Sequence, residues 1–92
     1  MTIRRIRKAI RQGHYEFSAH SLEEMDEDNL TDADVRRTVL GGALVTELTD
    51  DPRGVRFVVC GVLKDQERDV EVVCRFLPSG MMRIITVYEV DE

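Results

Sequence analysis

Apolar residues recur along this chain at two different periods, and the change falls at Gly41 and Gly42. Before the glycines the spacing is helical. Ile3, Ile6 and Ile10 fall at i, i+3 and i+7, with arginines on the opposite side, which predicts an amphipathic helix from Thr2 to Gln12. Thr2 is its cap and Gly13 its stop. Tyr15 and Phe17 read as a short extended link carrying two aromatic anchors. A second helix starts at the cap Ser18 and runs toward Asp28, with Ala19, Leu22 and Met25 as its inward stripe. The third helix has the clearest start: Thr31 is the cap, Asp34 is the third helical residue, and Leu30 and Val35 form a hydrophobic staple. It buries Val35 and Val39 and ends at Leu40.

After Gly42 the period is twofold. Ala43 to Thr49, Val55 to Leu63, Asp69 to Leu77 and Met82 to Val90 read as strands. The turns between them are Asp50-Asp51-Pro52-Arg53-Gly54, Lys64 to Arg68, and Pro78-Ser79-Gly80. Connections this short force antiparallel neighbours, because a parallel return needs a crossover of a dozen or more residues. The expected fold is α+β, with N-terminal helices followed by a four-stranded antiparallel sheet, in one domain over residues 1–92. The last strand organises it. Six of the nine residues from Met82 to Val90 are β-branched or aromatic. Regular alternation puts Ile84, Thr86, Tyr88 and Val90 on the face toward the helices, and Ile85 and Val87 on the other.

Composition bounds the function. A length of 92 residues, 42% hydrophobic and 34% charged, describes a small soluble domain with no run long enough to span a membrane. No signal-peptide core follows Met1, so the expected address is cytoplasmic. Net charge is −5, but it is segregated: residues 1–15 hold five basic groups and no acid, and residues 16–35 hold eight acids and no Lys or Arg. A nucleic-acid binder usually carries net positive charge; here a single basic face is available. Cys60 and Cys74 stand in strands without metal-ligand spacing, and a reducing compartment predicts free thiols. If the hairpin between the second and third strands centres on Glu67, the two sulfurs oppose one another.

The sequence contains no metal motif, phosphate loop, nucleophile elbow or cofactor signature. What remains is His20 on the second helix and Arg56, Arg75, Arg83, Thr86 and Tyr88 on the strands. RNA cleavage without a metal needs a base for the 2′-hydroxyl, an acid for the leaving 5′-oxygen and cations for the phosphate charge. Histidine, tyrosine and arginine supply those roles.

The run Ser18-Ala19-His20-Ser21-Leu22-Glu23-Glu24-Met25, then Leu30-Thr31 opening a Gly-ended helix, then a meander closing on Arg83-Ile84-Ile85-Thr86-Val87-Tyr88, resembles a bacterial family of small proteins of unknown function. That family is similar to the BrnT-type and RelE-type toxins of toxin–antitoxin systems. The resemblance implies a RelE-like (barnase-like) fold, a metal-independent ribonuclease and a zinc-finger antitoxin of the MqsA kind as partner. It implies His20, Thr86 and Tyr88 as the family's marked positions and so the catalytic candidates, while the residues themselves offer Arg56, Arg75 and Arg83 as substrate contacts. One departure stands out: related sequences often have arginine where this chain has Glu24 and Asp28, and carboxylates beside a phosphate repel it. The alternative is a non-catalytic protein-binding module whose basic first helix and acidic second helix are partner surfaces.

Overall fold

A computed structural model of the chain describes residues 2–64 and 66–90. It contains helices α1 (Thr2–Arg11), α2 (Ala19–Glu27) and α3 (Asp32–Gly41), and strands β1 (Tyr15–Phe17), β2 (Ala43–Leu48), β3 (Arg56–Leu63), β4 (Arg68–Phe76) and β5 (Met82–Glu89). The strands form one sheet in the order β1-β5-β4-β3-β2. This corrects the four-stranded antiparallel, RelE/barnase-like sheet expected from the sequence. The sheet is five-stranded and mixed, because Tyr15, Glu16 and Phe17 pair in parallel with Met82, Arg83 and Ile84. A strand therefore interrupts the helices, and α1 alone precedes the sheet's first strand. The two later helices and three strands together serve as the long return that a parallel pair requires. Among the described residues no helix is long and apolar enough to cross a membrane.

All three helices contribute to a core on one face of the sheet. Ile6 and Ile10 of α1, Met25 of α2, and Val35 and Val39 of α3 pack with Val59, Leu63, Val70, Val72, Cys74, Met82, Ile84 and Val87. Each such side chain contributes roughly 1.5–3 kcal/mol by leaving water. The closest approach is α3 on β3. A Cβ on Gly61 would collide with the Thr38 carbonyl, and one on Gly42 would lie 2.5 Å from the carbonyl oxygens of both Thr38 and Cys60. Thr31 and Asp34 form the predicted capping box at the start of α3, with Asp34 N–H donating to Thr31 Oγ1 and Thr31 N–H to Asp34 Oδ2.

The alternation expected for β5 fails at a bulge. Val73 pairs with Thr86 and Cys74 with Ile84, so Ile85 has no partner of its own. One extra residue reverses every side chain beyond it. Ile84 and Val87 consequently point into the core, while Thr86 and Tyr88 turn away from the helices, onto the face that carries Arg83.

Helix α2 differs from its predicted amphipathicity for a related reason. Strand β1 ends beside Ile84 and leaves the next amides of that β5 edge without a strand partner. Side chains of α2 take them: Glu24 Oε1 accepts from Val87 N–H at 3.2 Å, and Asp28 Oδ2 from Glu89 N–H at 3.0 Å. The helix thus turns Ser21 and Met25 inward and leaves Leu22 51% exposed. The thiols also differ from their expected arrangement. The β3–β4 ladder closes at Leu63 and Arg68, so Cys60 opposes Glu71 and Cys74 opposes Phe57. This odd offset puts the two sulfurs on opposite faces of the sheet. Both cysteines are free.

Candidate functional site

The sheet face away from the core carries side chains in transverse rows. Nearest the β2–β3 turn, Leu48 of β2 opposes Arg56 of β3, Arg75 of β4 opposes Arg83 of β5, and Arg83 opposes Glu16 of β1. Arg56 continues the ladder one residue beyond the Phe57–Cys74 pair, which brings it beside Arg75. Three arginines thus stand on three adjacent strands, ~4.8 Å apart. The next row, Thr46, Val58, Val73 and Thr86, is apolar or hydroxyl-bearing. Beyond it lie Ala43, Cys60, Glu71 and Tyr88. Like charges directly opposite one another on a sheet are destabilising, so the arginine row requires a compensating anion.

Asp51 supplies one. The turn Asp51-Pro52-Arg53-Gly54 closes with Gly54 N–H donating to the Asp51 carbonyl at 3.1 Å. Pro presets φ and Gly54 takes φ +128°, which a side chain would strain. The turn folds the Asp51 carboxylate down until only 6% of it is exposed. Both its oxygens are held by Arg53, through Nε at 3.1 Å and Nη2 at 3.1 Å. Arg56 Nε lies 3.7 Å away and Arg75 Nη1 3.9 Å away. These hydrogen bonds from Arg53, with the charge of Arg56 behind them, hold the carboxyl down to about 2.

A cleft of about 190 Å³ opens beside this node, lined by Ser18, His20, Asp51, Arg53, Arg56, Arg75, Arg83 and Ile85. Four of the six residues expected from the sequence, His20, Arg56, Arg75 and Arg83, meet there. Ser18 ties the two sides together: its N–H donates to the Ile84 carbonyl, its Oγ to the Ile85 carbonyl at 2.9 Å, and it accepts Ser21 N–H at 3.1 Å as the cap of α2. The bulge and the helix start are thus one unit, and His20 extends from the first turn beside it. His20 Nε2 lies 3.2 Å from Glu24 Oε1, the oxygen that also accepts Val87 N–H. Glu24 is therefore engaged as a backbone cap and a histidine partner.

Thr86 and Tyr88 share this sheet face but do not line the cleft. Tyr88 opposes Glu71 across β4. Burial first, and then its hydrogen bond to Glu71, push the phenol up to about 12. It is a poor proton carrier near neutral pH. Glu71 also adds to burial in raising the Cys60 thiol, and burial lifts Cys74 to about 12, which disfavours the thiolate at both. The sequence reading missed Asp51, Arg53, Ser18 and Ile85. An Asp-Pro-x-Gly turn was the signal for Asp51, since a turn's first residue points its side chain back over its own loop. Among the described residues no group of three or more His, Cys, Asp or Glu could hold a metal ion.

The model of a family described as a domain of unknown function, DUF4258, matches residues 17–89. The matched segment begins beyond α1 and contains every residue that lines the cleft. No curated protein and no solved structure matches the chain.

Proposed function

The chain belongs to the DUF4258 family of domains of unknown function, and for this member we propose a metal-independent ribonuclease that acts as the toxin component of a toxin–antitoxin system. The observation that carries this reading is the meeting of three sheet arginines and His20 in one cleft. The sequence likeness to BrnT-type and RelE-type toxins supports it, and with it a zinc-finger antitoxin of the MqsA kind as partner. In this reading His20, oriented by Glu24 through Nε2, takes the proton of a 2′-hydroxyl. The 2′-oxygen bonds to phosphorus as the bond to the 5′-oxygen breaks. Arg56, Arg75 and Arg83 take up the charge on the phosphoryl oxygens. The departing 5′-oxygen draws its proton from water on the open side of the cleft. The products are a 2′,3′-cyclic phosphate and a 5′-hydroxyl end. Thr86 and Tyr88 bound the face over which the chain would run and carry no proton-transfer step.

The test is RNA cleavage by the purified chain in the presence of a chelator, alone and with the product of the neighbouring gene. His20→Gln keeps the fold, since an exposed ion pair is worth ~0–1 kcal/mol. Its cleavage should fall 10²–10⁴-fold, the usual worth of general acid–base catalysis. Full cleavage by folded His20→Gln ends the catalytic assignment. A second reading, a non-catalytic protein-binding module, draws on the exposure of Arg4, Arg5, Lys8 and Arg11 on α1 and of Glu23, Asp26 and Glu27 on α2. Tight binding of the neighbouring product, with no cleavage by the wild type, favours that module.

A further inference from the structure

Arg75 is the unusual member of the row. It is 8% exposed, yet among the described residues it makes no hydrogen bond, and its ion pair to Asp51 spans 3.9 Å. Arginine has five N–H donors and cannot shed its charge. The Arg75 guanidinium nitrogens are not closed off from solvent, so these donors face the cleft without an acceptor of their own. On the neighbouring strand Arg56 donates through Nη2 to Asp50 at 3.1 Å, while its Nε is buried and has no hydrogen-bond partner. Both side chains line the same cleft. Asp51 neutralises this pair without satisfying it, because its oxygens are committed to Arg53.

The charge balance says what kind of anion fits. Of the cleft-lining residues four are arginines and one, Asp51, is an acid. Outside the lining, Asp50 on Arg56 and Glu16 on Arg83 sit at the rim with side chains 81% and 44% exposed, where solvent screens them, while Glu24, 20% exposed, pairs with His20. A cavity of about 190 Å³ is smaller than the ~300 Å³ at which drug-sized sites begin, so it suits one compact group better than a whole nucleotide. An internal phosphodiester offers two free oxygens and one charge. A terminal phosphate offers three free oxygens and ≈ −1.5 to −2 charges at neutral pH. Three guanidiniums on three adjacent strands match the second.

We infer that the Arg56–Arg75–Arg83 row is a receptor for a doubly charged terminal phosphate, and that it holds such a group more tightly than an internal phosphodiester. This rests on the reading of the cleft as the RNA site and adds its regulation. Inorganic phosphate and RNA ends carrying a 3′-phosphate compete with substrate. They do so because they supply in the ground state the extra charge that the row otherwise meets only in the transition state.

Calorimetric titration of the full chain at pH 7.5 tests this with inorganic phosphate, a nucleoside 3′-monophosphate and an uncleavable 2′-deoxy dinucleoside phosphodiester. Either monoester-type ligand should bind at least tenfold tighter than the diester. Arg75→Met should lose at least tenfold of that affinity, whereas Arg4→Ala on α1 should lose none. Inorganic phosphate binding as well as the nucleotide marks the phosphate alone as the recognised group. Binding of the nucleotide alone, with inorganic phosphate ignored, overturns the receptor as described. So does equal affinity for diester and monoester, or full affinity in folded Arg75→Met. Phosphate binding without any RNA cleavage keeps this inference and removes the nuclease. Cleavage that phosphate does not inhibit keeps the nuclease and removes the receptor.

Discussion

The two faces of the sheet are built on opposite principles. Toward the helices, Val59, Val72, Ile84 and Val87 are fully buried among apolar neighbours, and β3 gives up a side chain at Gly61 so that α3 can lie against it. On the other face Arg56, Arg75 and Arg83 stand side by side; the buried Asp51 carboxylate lies beside Arg56 and Arg75, and the more exposed Asp50 and Glu16 pair with Arg56 and Arg83. A row of like charges weakens a sheet, and Arg56 Nε, buried without a hydrogen bond, weakens it further. The first face accounts for why the chain folds. The second costs stability and so points to a ligand, because stability alone would replace those arginines with apolar residues. The two faces meet at Ile85, where the bulge ends regular alternation and Ser18 fixes α2 to the strand.

The sharpest separation of the faces is expected from truncating the apolar one. Ile84→Ala removes a fully buried side chain at the centre of the core. It should cost ~2–5 kcal/mol in urea melts, the usual range for such a truncation. A loss below ~1 kcal/mol would mean that the core does not rest on β5. A smaller effect is expected at the start of α3. Thr31→Ala removes the acceptor for Asp34 N–H and half of the capping box, at ~1 kcal/mol. Thr31→Ala as stable as the wild type would contradict the cap.

Legibility in the sequence follows the same division. The capping box, the stripe of α1 and the individual strands β2 to β5 are readable because each is written in local chemistry: a cap residue, an apolar period, a turn. What was not readable depends on tertiary register. Three residues are too few to show alternation, so β1 looked like a link until Met82–Ile84 paired with it. The bulge at Ile85 has no sequence mark in a run of β-branched residues, yet it decides that Thr86 and Tyr88 leave the core. The β3–β4 register depends on a tight turn in which Glu67 takes φ +52°, and three residues of offset separated the two thiols. Leu22 fitted a helical stripe but lies exposed, because edge amides of β5 draw Glu24 and Asp28 inward. For the site, residue types pointed to four members of the cleft. The carboxylate that gathers its arginines was hidden in what read simply as a turn.

That carboxylate gives a pH signature confined to acid. Asp51 titrates at about 2 in the folded chain against an ordinary 3.8. A carboxyl lowered by folding adds stability that is complete above its unfolded value and is lost as pH falls through its folded value. The wild type should therefore lose stability between about pH 4 and 2, and Asp51→Asn, which has no proton to bind there, should show a shallower acid limb. Urea melts in half-unit steps of pH measure this. Identical slopes for the two proteins would mean that Asp51 is not held by the arginines in solution.

The smallest expected change tests the central claim most directly. If the arginine row serves a ligand, Arg75→Met should leave the unliganded fold as stable as the wild type or slightly more stable. Methionine fills the same space without a buried charge, and Asp51 keeps both of its hydrogen bonds from the Arg53 guanidinium. Urea denaturation at neutral pH in a phosphate-free buffer is the measurement. Equal or higher stability agrees with a face kept for binding. A loss of ~3 kcal/mol or more, the cost of breaking a buried pair that holds a structure together, would make the row a structural node and contradict the account.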